Sequence, residues 1–328
     1  MKLGNVTLSH GLFLGPMAGY TDYAMRRVAR EAGAEYLTTE MVSAKAITYA
    51  DRKTAPIARV EVEELPCAVQ LFGHEPDVLA EAARKVAGGA YGAVPTAIDL
   101  NMGCPVHKIV SGGDGSALMR DPALAATLVG AVKRAVSLPV TVKMRIGWDP
   151  AHVNASEFAK AVEAAGADMI CVHGRTRTQG YSGTADLSQI AAVKAAVSVP
   201  VVGNGDIRDV PSALRMYRET GCDGIMIGRG AVGNPFLFGQ IVCALEGRPY
   251  TKPTPEQIWQ TAMRQLSLAI ADKGEATAVL ESRKQIGEYL NGYRCAAVAR
   301  REINSATSPD ALSEILRRVL FEDTEDFH

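Results

Sequence analysis

The chain has 328 residues, 47% of them hydrophobic and 22% charged, with a formal net charge of -1 at pH 7. These values describe an ordinary globular protein with room for a large core, and no global basic field advertises a nucleic-acid partner. No uninterrupted apolar run reaches bilayer length, so no membrane association is expected and a cytoplasmic protein is. The six cysteines, at 67, 104, 171, 222, 243 and 295, show no C-x-x-C and no regular spacing. Neither zinc, iron–sulfur nor disulfide chemistry is suggested; reduced thiols fit best and no metal is expected.

Short apolar runs recur at residues 12–18, 36–41, 67–72, 97–102, 140–146, 169–174, 201–206 and 224–229. Between most of them lie Ala-rich stretches with helical periodicity, at 78–86, 122–136, 156–165 and 187–197. Strands alternating with helices imply parallel pairing, and continuous apolar runs suit strands covered on both faces. Eight such units over about 230 residues predict a (β/α)8 TIM barrel. A doubly wound open sheet is the alternative, but it would not require eight similar strand endings.

Residues 97–106, AIDLNMGCPV, show what such an ending contains. Strand alternation puts Ala97, Asp99 and Asn101 on one face, Ile98 and Leu100 on the other. Gly103 and Pro105 then break the strand and leave Cys104 at its carboxyl end. Alone, this is as well read as a buried structural cysteine. Gln70, Asn101, Lys143, His173 and Asn204, however, each stand at or next to the carboxyl end of a different strand. Parity places Lys143 on the face of Thr141, and His173 on the face of Cys171. In a barrel those ends meet at one rim, where barrel enzymes build their sites.

Two more endings suit phosphate: Gly203-Asn204-Gly205-Asp206 closes strand seven and Gly228-Arg229-Gly230 closes strand eight. Glycine permits close backbone approach, and Arg229 supplies countercharge. With the amide of Gln70, the cation of Lys143 and a floor at Pro16-Met17-Ala18, these turns describe a cradle for flavin mononucleotide (FMN). No G-x-G-x-x-G opens a helix after a strand, so a nicotinamide is expected only as a transient reductant, NADPH or NADH.

On these residues the chain resembles the tRNA-dihydrouridine synthases, particularly the bacterial B-type. The matching stretches are Pro16-Met17-Ala18-Gly19-Tyr20-Thr21-Asp22, Glu40-Met41-Val42-Ser43-Ala44, Val69-Gln70-Leu71-Phe72-Gly73 and Asp99-Leu100-Asn101-Met102-Gly103-Cys104-Pro105. They continue with Val142-Lys143-Met144-Arg145, His173-Gly174-Arg175-Thr176, Asn204-Gly205-Asp206 and Gly228-Arg229-Gly230-Ala231. The resemblance implies reduction of a specific tRNA uridine to 5,6-dihydrouridine. It implies FMN bound through Pro16, Met17, Ala18, Gln70, Lys143, Asn204, Gly205, Asp206, Gly228 and Arg229, with His173 beside it. Cys104 would be the catalytic acid, with Asn101, Lys143, Arg145, His173 and Arg175 around the uracil. Hydride would reach C6, and a thiol with a free pKa of about 8.5 would protonate C5. A stacked base must be extruded to enter such a pocket. Residues 108–116, with Gly112, Gly113 and Gly115, read as a mobile lid carrying Cys104.

After Phe238 the composition changes. Gly247-Arg248-Pro249-Tyr250, with Pro253 and Pro255, reads as a linker. Residues 256–321 read as helices only, Ile258, Ala262, Leu266 and Ile270 falling at helical spacing. The division expected is a barrel over 1–245 and a helical domain over 246–328, which the resemblance assigns to tRNA contact. The acidic residues 322–328 read as a disordered tail. Residues 283–301 hold Arg283, Lys284, Arg294, Arg300 and Arg301 against Glu288 alone, a local charge of +4. On a continuous helix, Arg283, Arg294 and Arg301 would align within roughly 20° over about 27 Å, unless Gly287 and Gly292 interrupt it. Gln285 stands where a histidine is expected, and His107 where lysine or asparagine is common. The approach to strand four, residues 88–95, is unusually glycine-rich. A monomer is expected. The rival readings are a dihydroorotate-dehydrogenase-like FMN oxidoreductase and a non-catalytic tRNA-binding barrel. Val106 and the helical C-terminal region count against the first; retention of Cys104 and Lys143 counts against the second.

Overall fold

The computed structural model describes residues 1–322; the acidic tail expected from the sequence falls almost wholly outside them. Eight parallel strands form the barrel: β1 (Leu12–Leu14), β2 (Leu37–Thr38), β3 (Cys67–Phe72), β4 (Ala97–Met102), β5 (Val140–Arg145), β6 (Met169–His173), β7 (Val201–Asn204) and β8 (Gly224–Ile227). Each pairs with its sequence neighbour, β8 returns to β1, and a Phe13–Tyr36 bridge joins β1 to β2. That closure excludes the open doubly wound sheet. The second strand is interrupted: Val42–Ser43 resumes it and pairs with Leu71 and Phe72 of β3.

Helices follow the strands: α1 (Tyr23–Glu31), α2 (Ala44–Thr48), α3 (Pro76–Ala87), α4 (Pro122–Ala135), α5 (Ala155–Ala164), α6 (Leu187–Ala196), α7 (Val210–Thr220) and α8 (Leu237–Leu245). Asp22, Asp121, Asp186 and Asp209 cap α1, α4, α6 and α7 by accepting backbone amides of the first turn. These caps fix where each chain segment leaves the rim and turns downward.

Strand parity divides the interior. Phe13, Tyr36, Ala68, Ala97, Met169, Cys171, Val202 and Met226 point inward and pack with Leu3 and Leu8 of the N-terminal hairpin. Their alternate neighbours, such as Ile98, Leu100, Val142 and Ile170, face the helices in a separate, larger layer. Further along the same inward faces lie Gln70, Asp99, Asn101, Thr141, Lys143, His173 and Asn204. The barrel is therefore apolar at its amino end and polar at its carboxyl end.

Residues 246–254 form no helix or strand. Beyond them come α9 (Pro255–Lys273), α10 (Glu275–Ile286), α11 (Ala296–Ser305) and α12 (Pro309–Arg317). They enclose a second apolar cluster that includes Ala262, Leu266, Ile286, Leu290, Ile303, Leu312 and Leu316. The opposite face of α9, through Leu268 and Ala269, joins the barrel's outer layer. Ion pairs frame that contact: Lys273 with Asp22 at 2.6 Å, Arg264 with Glu31 at 3.0 Å, and Arg59 with Asp272.

Candidate active site

A chain of buried side chains ties β3, β4 and β5 together beneath the rim. Asp99 accepts from Gln70 Nε2 at 2.6 Å and from the Thr141 hydroxyl. Gln70 Oε1 accepts from Asn101 Nδ2 at 2.8 Å. Asn101 Oδ1 in turn accepts the amides of Gly103 at 3.2 Å and Cys104 at 2.9 Å. Burial raises the Asp99 carboxyl above its usual range, against the pull of Gln70, Thr141 and Lys143. Both amide ends of Gln70 are thus engaged, which leaves one N–H for a ligand.

The turn bearing Cys104 is held from the other side as well. The Cys104 carbonyl accepts from Ser116 N at 3.0 Å and Ser116 Oγ at 2.8 Å. Arg145 Nε donates to Gly103 O at 2.8 Å. A Cβ on Gly115 would lie 2.9 Å from the Cys104 carbonyl, and Asp114 bonds His74 at 2.8 Å. Residues 108–116, expected as a mobile lid, are packed against the Cys104 turn in this structure. They fold into a helical turn, His107–Val110, and the start of a 3-10 turn, Gly115–Arg120, with Ser116 fully buried. Gly115 serves close packing, and Gly113 takes a φ of 92°.

Burial pushes the Cys104 thiol upward, outweighing the Val106 amide, Arg145 and Lys143, so the proton is retained. Burial lowers the Lys143 ammonium, whose Nζ donates to Asn204 Oδ1 at 3.1 Å. Asn204 is itself anchored by donating to Met226 O at 2.7 Å. His173 is buried among Lys143, Arg145, Arg175 and Arg229; burial first, then these cations, hold it well below its ordinary value, and the ring is neutral.

A cavity of ≈ 580 Å³ opens at this rim. Its walls include Pro16, Met17, Ala18, Gln70, Asn101, Cys104, Lys143, Arg145, His173, Asn204, Gly205, Asp206, Gly228 and Arg229. Arg175 is the exception among the barrel residues expected here. Its Nε donates to Ser182 O at 3.0 Å, and its Nη2 to Gly183 O at 2.6 Å and Asp206 Oδ2 at 2.7 Å. The guanidinium is drawn under its own loop and braces it. Sequence reading missed Tyr20, Met41, Tyr181, Arg208 and Glu288, which also line the cavity. Tyr181 is 58% exposed, with its ring 6.3 Å from that of His173 and the Arg229 guanidinium 4.3 Å above it. Its only sequence signal is an aromatic flanked by Gly180 and Gly183.

The turns after β7 and β8 lie backbone against backbone: a Cβ on Gly230 would meet Ile207 O at 2.2 Å. Arg208 and Arg229 stand 3.9 Å from Asp206 Oδ1, an atom that is buried without a hydrogen-bond partner. That oxygen suits a ligand hydroxyl and would repel a phosphate, whose place falls to Arg229, Arg208 and the glycine turns. Both groups occur in a ribityl phosphate, and Lys143 suits the polar edge of a flavin ring. The donor set fits FMN.

The basic stripe is different from its expected form. α10 stops at Ile286, a 3-10 turn spans Gly287–Leu290, and α11 starts at Ala296. Arg283, Arg294 and Arg301 do not share one helix. Tyr289 and Leu290 are buried in the second core, and Gly292 takes a φ of 93°, so the chain turns there. Arg283 Nε donates to Ala306 O at 2.8 Å, whereas Arg294 and Arg301 are exposed. Gln285 is core: it accepts from Gln265, which accepts from the Tyr289 hydroxyl at 2.7 Å. The region still reaches the rim, with Lys284 Nζ 4.9 Å from the Tyr20 ring centroid and Glu288 at the cavity.

Among the described residues, no cluster of three or more His, Cys, Asp or Glu could hold a metal, and no helix is long and apolar enough to cross a membrane. A closed parallel barrel with a cavity at its carboxyl rim, lined by several charged and amide side chains, has the architecture of (β/α)8 enzymes. Among solved structures, histamine dehydrogenase from Rhizobium sp. 4-9 is similar in fold, with a TM-score of 0.57 at 17% identity. That match covers 82% of this chain and 50% of the other, so the chain spans half the length of that protein. The dihydrouridine synthase family profile matches residues 13–324. A probable tRNA-dihydrouridine synthase of Rickettsia conorii is 42% identical over 317 residues, covering 96% of this chain and 94% of that one. The tRNA-dihydrouridine synthase B of Xanthomonas campestris pv. campestris is 38% identical over 319 residues, 97% and 95% of the two chains. The chain belongs to the dihydrouridine synthase family, and it is an oxidoreductase.

Proposed function

We propose that this protein reduces a uridine of tRNA to 5,6-dihydrouridine, with FMN as its bound flavin and NADPH or NADH as the transient reductant. Family membership supports the reaction, and the names of the relatives support tRNA as the substrate. The observation that carries the reading is the position of the Cys104 thiol, on the wall of the cavity that also holds Lys143, Arg229 and the two glycine turns; burial, which pushes that thiol upward, favours its acid form.

A reduced flavin supplies the hydride that adds at C6 of the uracil. The electron pair of the C5=C6 bond moves toward the ring carbonyl, and Cys104 gives its proton to C5. The resulting thiolate is reprotonated from water. Lys143 would face the polar edge of the flavin, and its positive charge would offset the negative charge left there by reduction. Neutral His173, Asn101 and Arg145 line the space in which the uracil sits. Arg229, Arg208, Gly228 and the turn at 203–206 would hold the phosphate, and Asp206 would accept a ribityl hydroxyl. Pro16, Met17 and Ala18 form the floor. Residues 1–245 are the catalytic unit, and the helical region that follows holds RNA beside the rim.

The test is direct. The protein should purify yellow and release FMN on heating. With NADPH it should convert uridine to dihydrouridine in tRNA from a strain lacking the gene. Release of FAD, or no dihydrouridine from flavin-loaded enzyme, refutes the reading.

A further inference from the structure

The loops after β5 and β6 pair with each other above the barrel. Ile146 N donates to Arg175 O at 3.3 Å, Arg177 N to Gly147 O at 3.0 Å and Thr178 N to Trp148 O at 3.1 Å. Arg145 fixes the second loop from below, its Nη1 donating to Thr176 O at 2.8 Å and Gly180 O at 3.0 Å. These two loops carry two aromatic rings, each with two guanidinium groups over it. Tyr181 has Arg229 at 4.3 Å and Arg145 at 6.0 Å, and belongs to the cavity. Trp148 has Arg120 at 4.2 Å and Arg177 at 4.7 Å, and does not line it.

The reaction described above leaves the Trp148 stack unused. Among the described residues, neither Arg120 nor Arg177 has a carboxylate oxygen within 4.0 Å. The adjacent acid, Asp149, is occupied within its own loop, accepting from His152 Nδ1 at 2.8 Å and from the Ala151 amide at 2.9 Å. An indole holds a guanidinium by its face and leaves the N–H edges outward. A planar fork oriented in this way, without a competing carboxylate, is a ready partner for a phosphate. The Trp148 carbonyl accepts from Thr178 N, three residues before Tyr181, so the stack is tied to the loop that borders the cavity mouth.

We propose that Arg120, Trp148 and Arg177 form a second anchoring point for the RNA, contacting phosphates of the strand that flanks the extruded uridine. The inference rests on the tRNA reading above. A base held in the cavity and a backbone held on this stack fix the strand at two points, which sets its direction across the rim.

Binding of unmodified tRNA by the flavin-loaded protein, measured from about 50 to 200 mM salt, tests this. The double variant Arg120→Gln/Arg177→Gln should bind on the order of tenfold more weakly at low salt. Its plot of log affinity against log salt should flatten by about one for each phosphate left without its arginine. Trp148→Leu keeps both charges but removes the ring, and should bind a few-fold more weakly; both variants should retain flavin and the wild-type unfolding temperature. Should either variant misfold, Arg120→Lys/Arg177→Lys keeps the charge without the fork and should still weaken binding. If wild-type protein fails to bind tRNA, the functional reading fails. If wild type binds and the folded variants match it in affinity and slope, this proposal alone is overturned.

Discussion

Asn101 Oδ1 accepts the Cys104 amide at 2.9 Å while Asn101 Nδ2 donates to Gln70 at 2.8 Å. The thiol turn therefore hangs from the paired strands β3 and β4, which are buried except at Phe72. Replacing Asn101 by alanine removes both amide bonds to the turn and leaves Gln70 Oε1 buried and unpaired, at a cost of about 1–3 kcal/mol. Dihydrouridine formation in single turnover should fall on the order of 100-fold, because a small misplacement of a reacting group is that costly. The unfolding temperature should fall by several degrees. Asn101→Asp keeps the acceptor and should recover part of the rate. A wild-type rate in Asn101→Ala would show that the thiol does not depend on this tether.

Cys104 is raised by burial, and the acid form is the useful one. Turnover should therefore hold through neutral pH and fall on the alkaline side, as the thiol loses its proton above the ~8.5 of a free thiol and as the Lys143 ammonium, lowered by burial, loses its charge. His173 is displaced downward and stays neutral, so it should add no inflection near its ordinary value. In Cys104→Ala, flavin content should match wild type, reductant oxidation without tRNA should continue, and tRNA reduction should collapse. A wild-type rate of tRNA reduction in that variant would place the acid elsewhere.

Much of the site was legible because side chains along a strand repeat every two residues. Parity put Lys143 with Thr141 and Asn101 with Asp99, and the barrel's inner face carries all four. What parity cannot see is where a side chain goes once the strand ends. Arg175 lies two residues beyond the inward-facing His173, yet the carbonyls of Ser182 and Gly183 pull it beneath the loop. Tyr181 reaches the cavity only because Arg145 and Arg175 fold that loop back over the rim. Helical periodicity also failed over 283–301, where burying Tyr289 and Leu290 outweighs a continuous helix; Gly287 and Gly292 were the only warning.

Tyr181 stays 58% exposed even with Arg229 over its ring, which leaves ring surface for a base entering beside His173. Stacking of a base on an aromatic ring is worth about 1–3 kcal/mol. Tyr181→Ala should therefore raise the KM for tRNA roughly tenfold, and Tyr181→Phe should keep most of the affinity, since the ring rather than the hydroxyl makes the contact. Steady-state kinetics with saturating reductant separates the two variants. Equal KM values for alanine, phenylalanine and tyrosine at this position would remove the stacking role.

Arg283 and Arg301, which a continuous helix would align, have different work in the fold. Arg283 donates from Nε to the Ala306 carbonyl at 2.8 Å, tying the end of α10 to the segment that follows α11. Its charge is used internally, and hydrogen bonds from a charged donor contribute about 1.5–3 kcal/mol. Arg301 lies exposed on α11, and no described carboxylate stands within 4.0 Å of it. Arg283→Ala should accordingly lower the unfolding temperature by several degrees, while the folded fraction binds tRNA nearly as wild type. Arg301→Ala should leave the unfolding temperature unchanged, weaken tRNA binding a few-fold and flatten its salt dependence by about one phosphate. Thermal unfolding and salt-titrated tRNA binding of the two single variants decide the matter. The reverse pattern, with weakened affinity in Arg283→Ala and reduced stability in Arg301→Ala, would place the RNA on the α10 face instead.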